Sequence, residues 1–323
     1  MRDWRTLLEE KGVLISDGAW GTELSKQGLG VGEAPEGWNL EHPELVLAVA
    51  EAYVNADPDI ILTNTLGGSR LKLEKAGVVA KGSDIILTNS FGGSRYKLQK
   101  TGLGDVMAQV NRTAAELSRQ AAGDRVLVFA SVGPTGEFMA PLGTITEEQM
   151  TACFAEQITA LAEGGADAIL VETQTDLGEA KAALKAARES TDLDVVVSMT
   201  FAKGPKGYAT MMGVTPAQAA QELSEAGADI VGSNCGGGME QIIDVITQMR
   251  PATNLPLWAK PNAGLPELIA GQTVFRETPE QMASHFGELV DAGASIIGGC
   301  CGTTPEHVAM FVAKRDRLTA DGT

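Results

Sequence analysis

Three of the four cysteines fall in two glycine-rich stretches: Cys235 in GSNCGGG, and the vicinal pair Cys300 and Cys301 in IIGGCCGTTPEH. Each stretch follows a short β-type run, so each cysteine is expected at the C-terminal end of a strand. In a parallel barrel all such ends share one face, and residues 65 apart in sequence can meet there. Three thiolates from two turns make a tetrahedral zinc site with its fourth position open, the pattern of a catalytic rather than a structural site. Zinc held by three thiolates is a poor Lewis acid and suits activation of a substrate thiol, which loses its proton yet stays nucleophilic. Buried structural cysteine is the competing reading for any one of the three. Cys153 lies at an apolar position of a helical run and reads as core packing.

Two carboxylates end other strands: Asp17 in SDGAWGTEL and Glu172 in LVETQTD. Facing the same mouth, they would recognise an ammonium group such as that of an amino acid. Asp17 followed by Gly18 also reads as simple turn chemistry. Gly18, Gly21, Gly298 and Gly299 allow a small ligand to approach the backbone, whose amides are expected to meet the ligand's carboxylate. His42, His285 and His307 lack metal spacing and are given no catalytic role. The run NCGGGME lacks the lysine of a phosphate loop, and Met211 and Met212 read as packing or substrate-loop residues.

The elements that must position these residues alternate. Strand-like runs occur at 13–16, 60–64, 85–89, 126–133, 168–173, 195–200, 229–234, 255–260 and 295–299, with helical periodicity between them at 43–56, 107–122, 147–165, 216–227 and 279–293. That alternation predicts a parallel α/β fold, a single-domain (β/α)8 TIM barrel spanning 1–323. One strand candidate is surplus because residues 59–77 nearly repeat as 84–102, an offset of 25. A closed eight-stranded barrel takes one copy only. The second copy is the expected strand, because it runs directly into the helix at 105–122 and leaves the insertion on the helix-to-strand side. An exposed strand copy would also favour self-association, so a homo-oligomer is expected.

Composition bounds the partners. A formal charge of −17 over 323 residues disfavours nucleic acid, which needs a basic face. The apolar runs are strand-sized, so no membrane segment is expected, and vicinal cysteines fit a reducing compartment. The expectation is a soluble, cytoplasmic protein.

The set DGAWGT, TNSFGGSR, GPTGE, VETQTD, GSNC, KPNAGLP and GGCCGT, running from about residue 12 to 315, resembles the homocysteine S-methyltransferase family. That family includes betaine:homocysteine methyltransferases and the homocysteine domain of cobalamin-dependent methionine synthase. The stretch GEAPEGWN at 32–39 with GPTGE is most similar to bacterial betaine-type enzymes. The resemblance implies zinc on Cys235, Cys300 and Cys301, the homocysteine amino group on Asp17 and Glu172, and Asn234 as a neighbour of the metal or substrate. It implies methyl transfer from a small donor, betaine-type favoured, to the homocysteine thiolate, giving methionine. A methylcorrinoid protein or S-methylmethionine is the alternative donor; a zinc-binding barrel impaired by the duplication, with a regulatory role, is the alternative of another class. Animal betaine enzymes carry aromatic residues where this chain has Gly92 and Thr173. A cage for a quaternary ammonium donor must therefore draw on Trp20, Trp38, Phe91 and Tyr208.

Overall fold

The computed structural model describes residues 3–30, 33–66, 106–269 and 272–321. Eight parallel strands form one sheet: β1 (Leu14–Ile15), β2 (Ile60–Leu62), β3 (Leu127–Val132), β4 (Ala168–Gln174), β5 (Asp194–Met199), β6 (Ile230–Asn234), β7 (Leu257–Lys260) and β8 (Ala294–Ile297). Each pairs with its successor from β2 to β8, and β8 pairs with β1. A parallel bridge between Ser16 and Ile60 closes the ring, with the Asp17 amide donating to Ile60 O at 3.1 Å. Continuous apolar runs build these strands because both faces are covered. All six residues of β3 are buried.

The surplus strand is resolved against expectation. The first copy of the repeat supplies β2, between β1 and β3, and the second copy at 84–102 lies outside the described residues. A buried carboxylate anchors this strand. The Asp59 carboxylate, almost fully buried, accepts from the Ile15 amide at 2.8 Å and Arg315 at 2.6 Å, and also pairs with Lys11. It thereby ties β2 to β1, to α1 (Trp4–Lys11) and to the last helix. The chain reaches Ile60 directly from α4 (Pro43–Val54), whereas residues 67–105 separate β2 from the helix Met107–Ala122. The insertion therefore falls on the strand-to-helix side, not the opposite side as expected.

After α2 (Trp20–Lys26), α3 (Trp38–Glu41) and α4, the outer layer consists of α5 (Met107–Ala122), α6 (Glu147–Glu163), α7 (Leu177–Ser190), α8 (Pro216–Glu225), α9 (Met239–Met249), α10 (Pro279–Ser284), α11 (Phe286–Asp291) and α12 (Pro305–Asp321). Their starts are written in the sequence: Thr146 and Gln149 form a reciprocal cap on α6, and Thr278 and Gln281 another on α10. Gly227 and Gly293, at φ of 94° and 104°, turn the chain back after α8 and α11 where a side chain would be strained. The single helix expected over 279–293 is divided at His285, whose backbone (φ −93°, ψ 2°) leaves the helical region. Among the described residues no helix is long and apolar enough to cross a membrane.

Inside the barrel, Phe129 and Trp258 stack with ring centroids 6.0 Å apart. Above this apolar plug, toward the strand C-termini, the inward positions change from apolar to charged and polar. The candidate site begins there.

Candidate metal and amino-acid site

The Sγ atoms of Cys235, Cys300 and Cys301 lie within 4.8 Å of one another, with Cys235 and Cys301 3.9 Å apart. Ligands on a tetrahedral zinc with bonds of about 2.3 Å are separated by about 3.8 Å, so the thiols already have the spacing the ion requires. The turns that present them are held by backbone bonds. The Cys235 amide donates to Lys260 O at 3.0 Å, the Cys300 amide to Pro261 O at 2.8 Å, and the Cys301 amide to Asn262 Oδ1 at 3.1 Å. Cys235 itself adopts φ of 62°, a left-handed conformation costly for a side-chain-bearing residue and retained here where it aims the thiol at its two partners.

Hydrogen bonding within the cluster sets the three thiols apart. Hydrogen bonds from Cys300 and Cys301 pull the Cys235 thiol well below its ordinary value. The same contact pushes Cys300 up to about 12, and Cys301 is raised as well. A cluster that already stabilises one thiolate is a donor set suited to a soft cation. Asn234 stands beside it. Its Nδ2 is 3.8 Å from the Cys300 sulfur and 2.8 Å from Thr173 Oγ1, and its Oδ1 accepts from the Thr173 amide at 2.9 Å and the Ser198 hydroxyl at 2.7 Å. This network locks the ends of β4, β5 and β6 in register, and Thr173, within β4, adopts a left-handed φ of 60° where the strand's register shifts.

Glu172 is buried and its Oε1 accepts the Ser131 hydroxyl at 2.6 Å. Burial raises its pKa to about 7, against the pull of Lys260, while Cys300 and Asp17 add to the rise. Asp17 is fully buried. Its Oδ1 accepts Lys260 Nζ at 2.9 Å, and its Oδ2 accepts the Trp20 ring N–H at 2.8 Å and the Leu62 amide at 2.7 Å. Lys260, with a side chain only 2% exposed, was not singled out from the sequence. Burial opposes its charge, but Asp17, Glu172 and Cys300 together raise its pKa. The available signal was positional, since LPLWAK ends β7 as LVET ends β4.

Other expected positions separate. A side chain on Gly18 would come 2.7 Å from Thr303 Oγ1 and 2.9 Å from the Tyr53 hydroxyl, and one on Gly299 would collide with Thr303. These glycines let protein segments cross, whereas Gly21 has open space around it. Trp38 is buried and meets His42 edge-on at 4.8 Å, Trp20 is committed to Asp17, and Tyr208 bonds Asp244 at 3.0 Å beneath the Lys203 ammonium. No ring contact joins these three among the described residues, and Phe91 lies outside them. His307 is structural: its ring bridges the Thr304 amide at 3.1 Å and Glu277 O at 3.0 Å.

A model of the homocysteine S-methyltransferase family matches residues 14–81 and again 77–314. The two spans meet at the repeat, so each includes one copy. Methionine synthase of Mycobacterium leprae (strain TN) is 28% identical over 324 residues, covering 96% of this chain and 25% of that protein. Methionine synthase of Mycobacterium tuberculosis (strain ATCC 25618 / H37Rv) is 26% identical, covering 93% and 24%. The chain thus spans about a quarter of the length of these curated relatives. Among solved structures, the metallated form of the homocysteine methyltransferase MmuM from Escherichia coli superposes with a TM-score of 0.74 at 23% identity, covering 96% of this chain and 99% of that one, and shows the same fold. With the family model matched across most of its length, the chain belongs to the homocysteine S-methyltransferase family of enzymes.

Proposed function

We propose that the protein is a zinc-dependent methyltransferase that moves a methyl group from a small donor to the sulfur of homocysteine, forming methionine. The observation that carries this reading is the convergence of Cys235, Cys300 and Cys301 beside the buried carboxylate of Glu172. The three cysteines hold zinc, and when bound the ion supplies a fourth position at which a substrate thiol ionises at neutral pH while remaining a nucleophile.

The chain's own residues fix the amino acid. Ser131 holds Oε1 of Glu172 and leaves Oε2 for the substrate ammonium, since no hydrogen bond to Oε2 is formed among the described residues. Asp17, its oxygens taken by Lys260, Trp20 and Leu62, supports this end of the site from beneath. Asn234 keeps the ends of β4 and β6 together next to the sulfur. In the transfer, the substrate sulfur forms a bond to the donor methyl carbon as the bond from that carbon to the donor breaks, and the electron pair leaves with the donor. No side-chain base is needed once the thiol is ionised, so positioning the reactants in line is the protein's main contribution. A thiolate site also fits the reducing cytoplasm.

The sequence stretch GEAPEGWN with GPTGE favours a betaine-type donor. A second reading, a methylcorrinoid protein as donor, is favoured by the likeness to methionine synthases and by the dispersal of Trp20, Trp38 and Tyr208, which form no cage. The test is methionine formation by zinc-loaded protein with glycine betaine, S-methylmethionine and methylcobalamin in parallel. Turnover with one of them, lost on chelation and restored by zinc, supports the reading. Stoichiometric zinc with no turnover on any donor replaces it with the impaired, regulatory barrel.

A further inference from the structure

The strand that carries Cys235 and the strand that leads to Cys300 and Cys301, β6 and β8, stand on either side of β7. Among the described residues no backbone hydrogen bond joins the two cysteine turns directly, and the tail of β7 splints them. Lys260 O accepts the Cys235 amide at 3.0 Å and Pro261 O the Cys300 amide at 2.8 Å, while the Asn262 amide donates to Gly237 O at 2.9 Å and the Ala263 amide to Cys301 O at 2.9 Å. β7 brings no sulfur to the site, but four successive residues at its end set how far apart the sulfurs stand.

Asn262 joins this splint with its side chain as well. It is buried, its Oδ1 accepts the Cys301 amide at 3.1 Å, and its side-chain N–H hydrogen-bonds the Cys235 sulfur. One carboxamide thus reaches from one cysteine turn to the other, beside sulfurs 3.9 Å apart. Asn234, with Nδ2 3.8 Å from the Cys300 sulfur, gives a second cysteine the same kind of partner. An N–H donated to a thiolate draws charge from it, which favours the anion and makes it a poorer nucleophile. That matters in a site that moves methyl groups, because a protein thiolate and a substrate thiolate compete there for the same carbon. Were Cys235 to win, its sulfur would bond the methyl carbon, the electron pair would leave with the donor, and the thioether left behind would be a weak ligand.

We propose that Asn262 is a positioning residue for methyl transfer: its carboxamide spans the two cysteine turns and, by donating to Cys235, keeps that thiolate a metal ligand rather than a methyl acceptor. The methyl group is thereby directed to the substrate sulfur, which has no such partner. This inference rests on the reading of the three cysteines as the zinc site of a methyltransferase.

The test is alkylation of the zinc-loaded protein by methyl iodide in the absence of homocysteine, read by mass mapping of each cysteine, with zinc content measured before the reagent is added. In each event the cysteine sulfur bonds the methyl carbon as iodide departs with the electron pair. Asn262→Ala is expected to methylate Cys235 at least about fivefold faster than the unaltered protein, with Cys153 in α6 unchanged. Asn262→Asp keeps an acceptor for the Cys301 amide but has no N–H to give, and is expected to show the same acceleration at Cys235. A loosened fold would instead quicken all four cysteines together. Selective acceleration at Cys235 in each variant that holds zinc supports the assignment. No acceleration there, acceleration spread evenly over Cys235, Cys300 and Cys301, or loss of zinc from both variants overturns it alone. Failure of the unaltered protein to bind zinc overturns the functional reading and this inference with it.

Discussion

Asp17 Oδ1 lies 2.9 Å from Lys260 Nζ, and both groups are sealed inside the barrel. Breaking a buried pair by removing one partner leaves the other charge uncompensated, which costs about 3–5 kcal/mol. Asp17→Ala is therefore expected to lower stability by about that amount in urea denaturation of the metal-free protein. A change below about 1 kcal/mol would mean that water reaches Lys260 and that the pair behaves as a surface one.

Glu172 links stability to pH. Its folded pKa of about 7 exceeds the ordinary 4.5 of a glutamate, so the native state binds the proton more tightly than the unfolded chain. The stability this contributes is fully present below about pH 4.5 and is lost as pH rises through about 7. Glu172→Gln cannot lose it. Relative to the unaltered protein, the variant should gain stability between pH 4.5 and pH 8, by up to about 3 kcal/mol at 1.36 kcal/mol per pKa unit. Parallel stability profiles for the two proteins would show that folding leaves the pKa of Glu172 unchanged.

The repeat gives a contrast between two aspartates. Asp59 neutralises Arg315 and Lys11 at the base of the barrel, so Asp59→Ala should cost about 3 kcal/mol or more. The same change at Asp84, the matching residue of the second copy, is expected to cost less than about 0.5 kcal/mol, as for a substitution outside such a cluster. Deleting residues 78–102 should leave the melting temperature and zinc content unchanged, since the described barrel draws its second strand from the first copy. Reversed sensitivities at Asp59 and Asp84 would assign the strand to the second copy.

The barrel and the cysteine convergence were legible because both follow from local signals. Alternating strand and helix runs bring every strand C-terminus to one face, and GSNC and GGCC stand at two of those ends. The choice between repeat copies was not legible, because the strand residues DIILTN, the anchoring aspartate included, are the same in both. The part played by the glycines was not legible for a related reason. Close approach to a ligand and close approach between segments require the same missing Cβ, and only the positions of Thr303 and Tyr53 show that Gly18 serves the second. Lys260 was hidden because lysine is ordinarily a surface residue, and its buried partner Asp17 is 243 positions away.

Zinc K-edge X-ray absorption of the protein, before and after homocysteine is added, reads the proposed metal site and its substrate thiol in one experiment. One zinc per chain is expected, with three sulfur neighbours rising to four with homocysteine, and with loss of the metal in Cys235→Ala, Cys300→Ala or Cys301→Ala. A site with fewer than three sulfurs, or one whose sulfur count is unchanged by homocysteine, would contradict it.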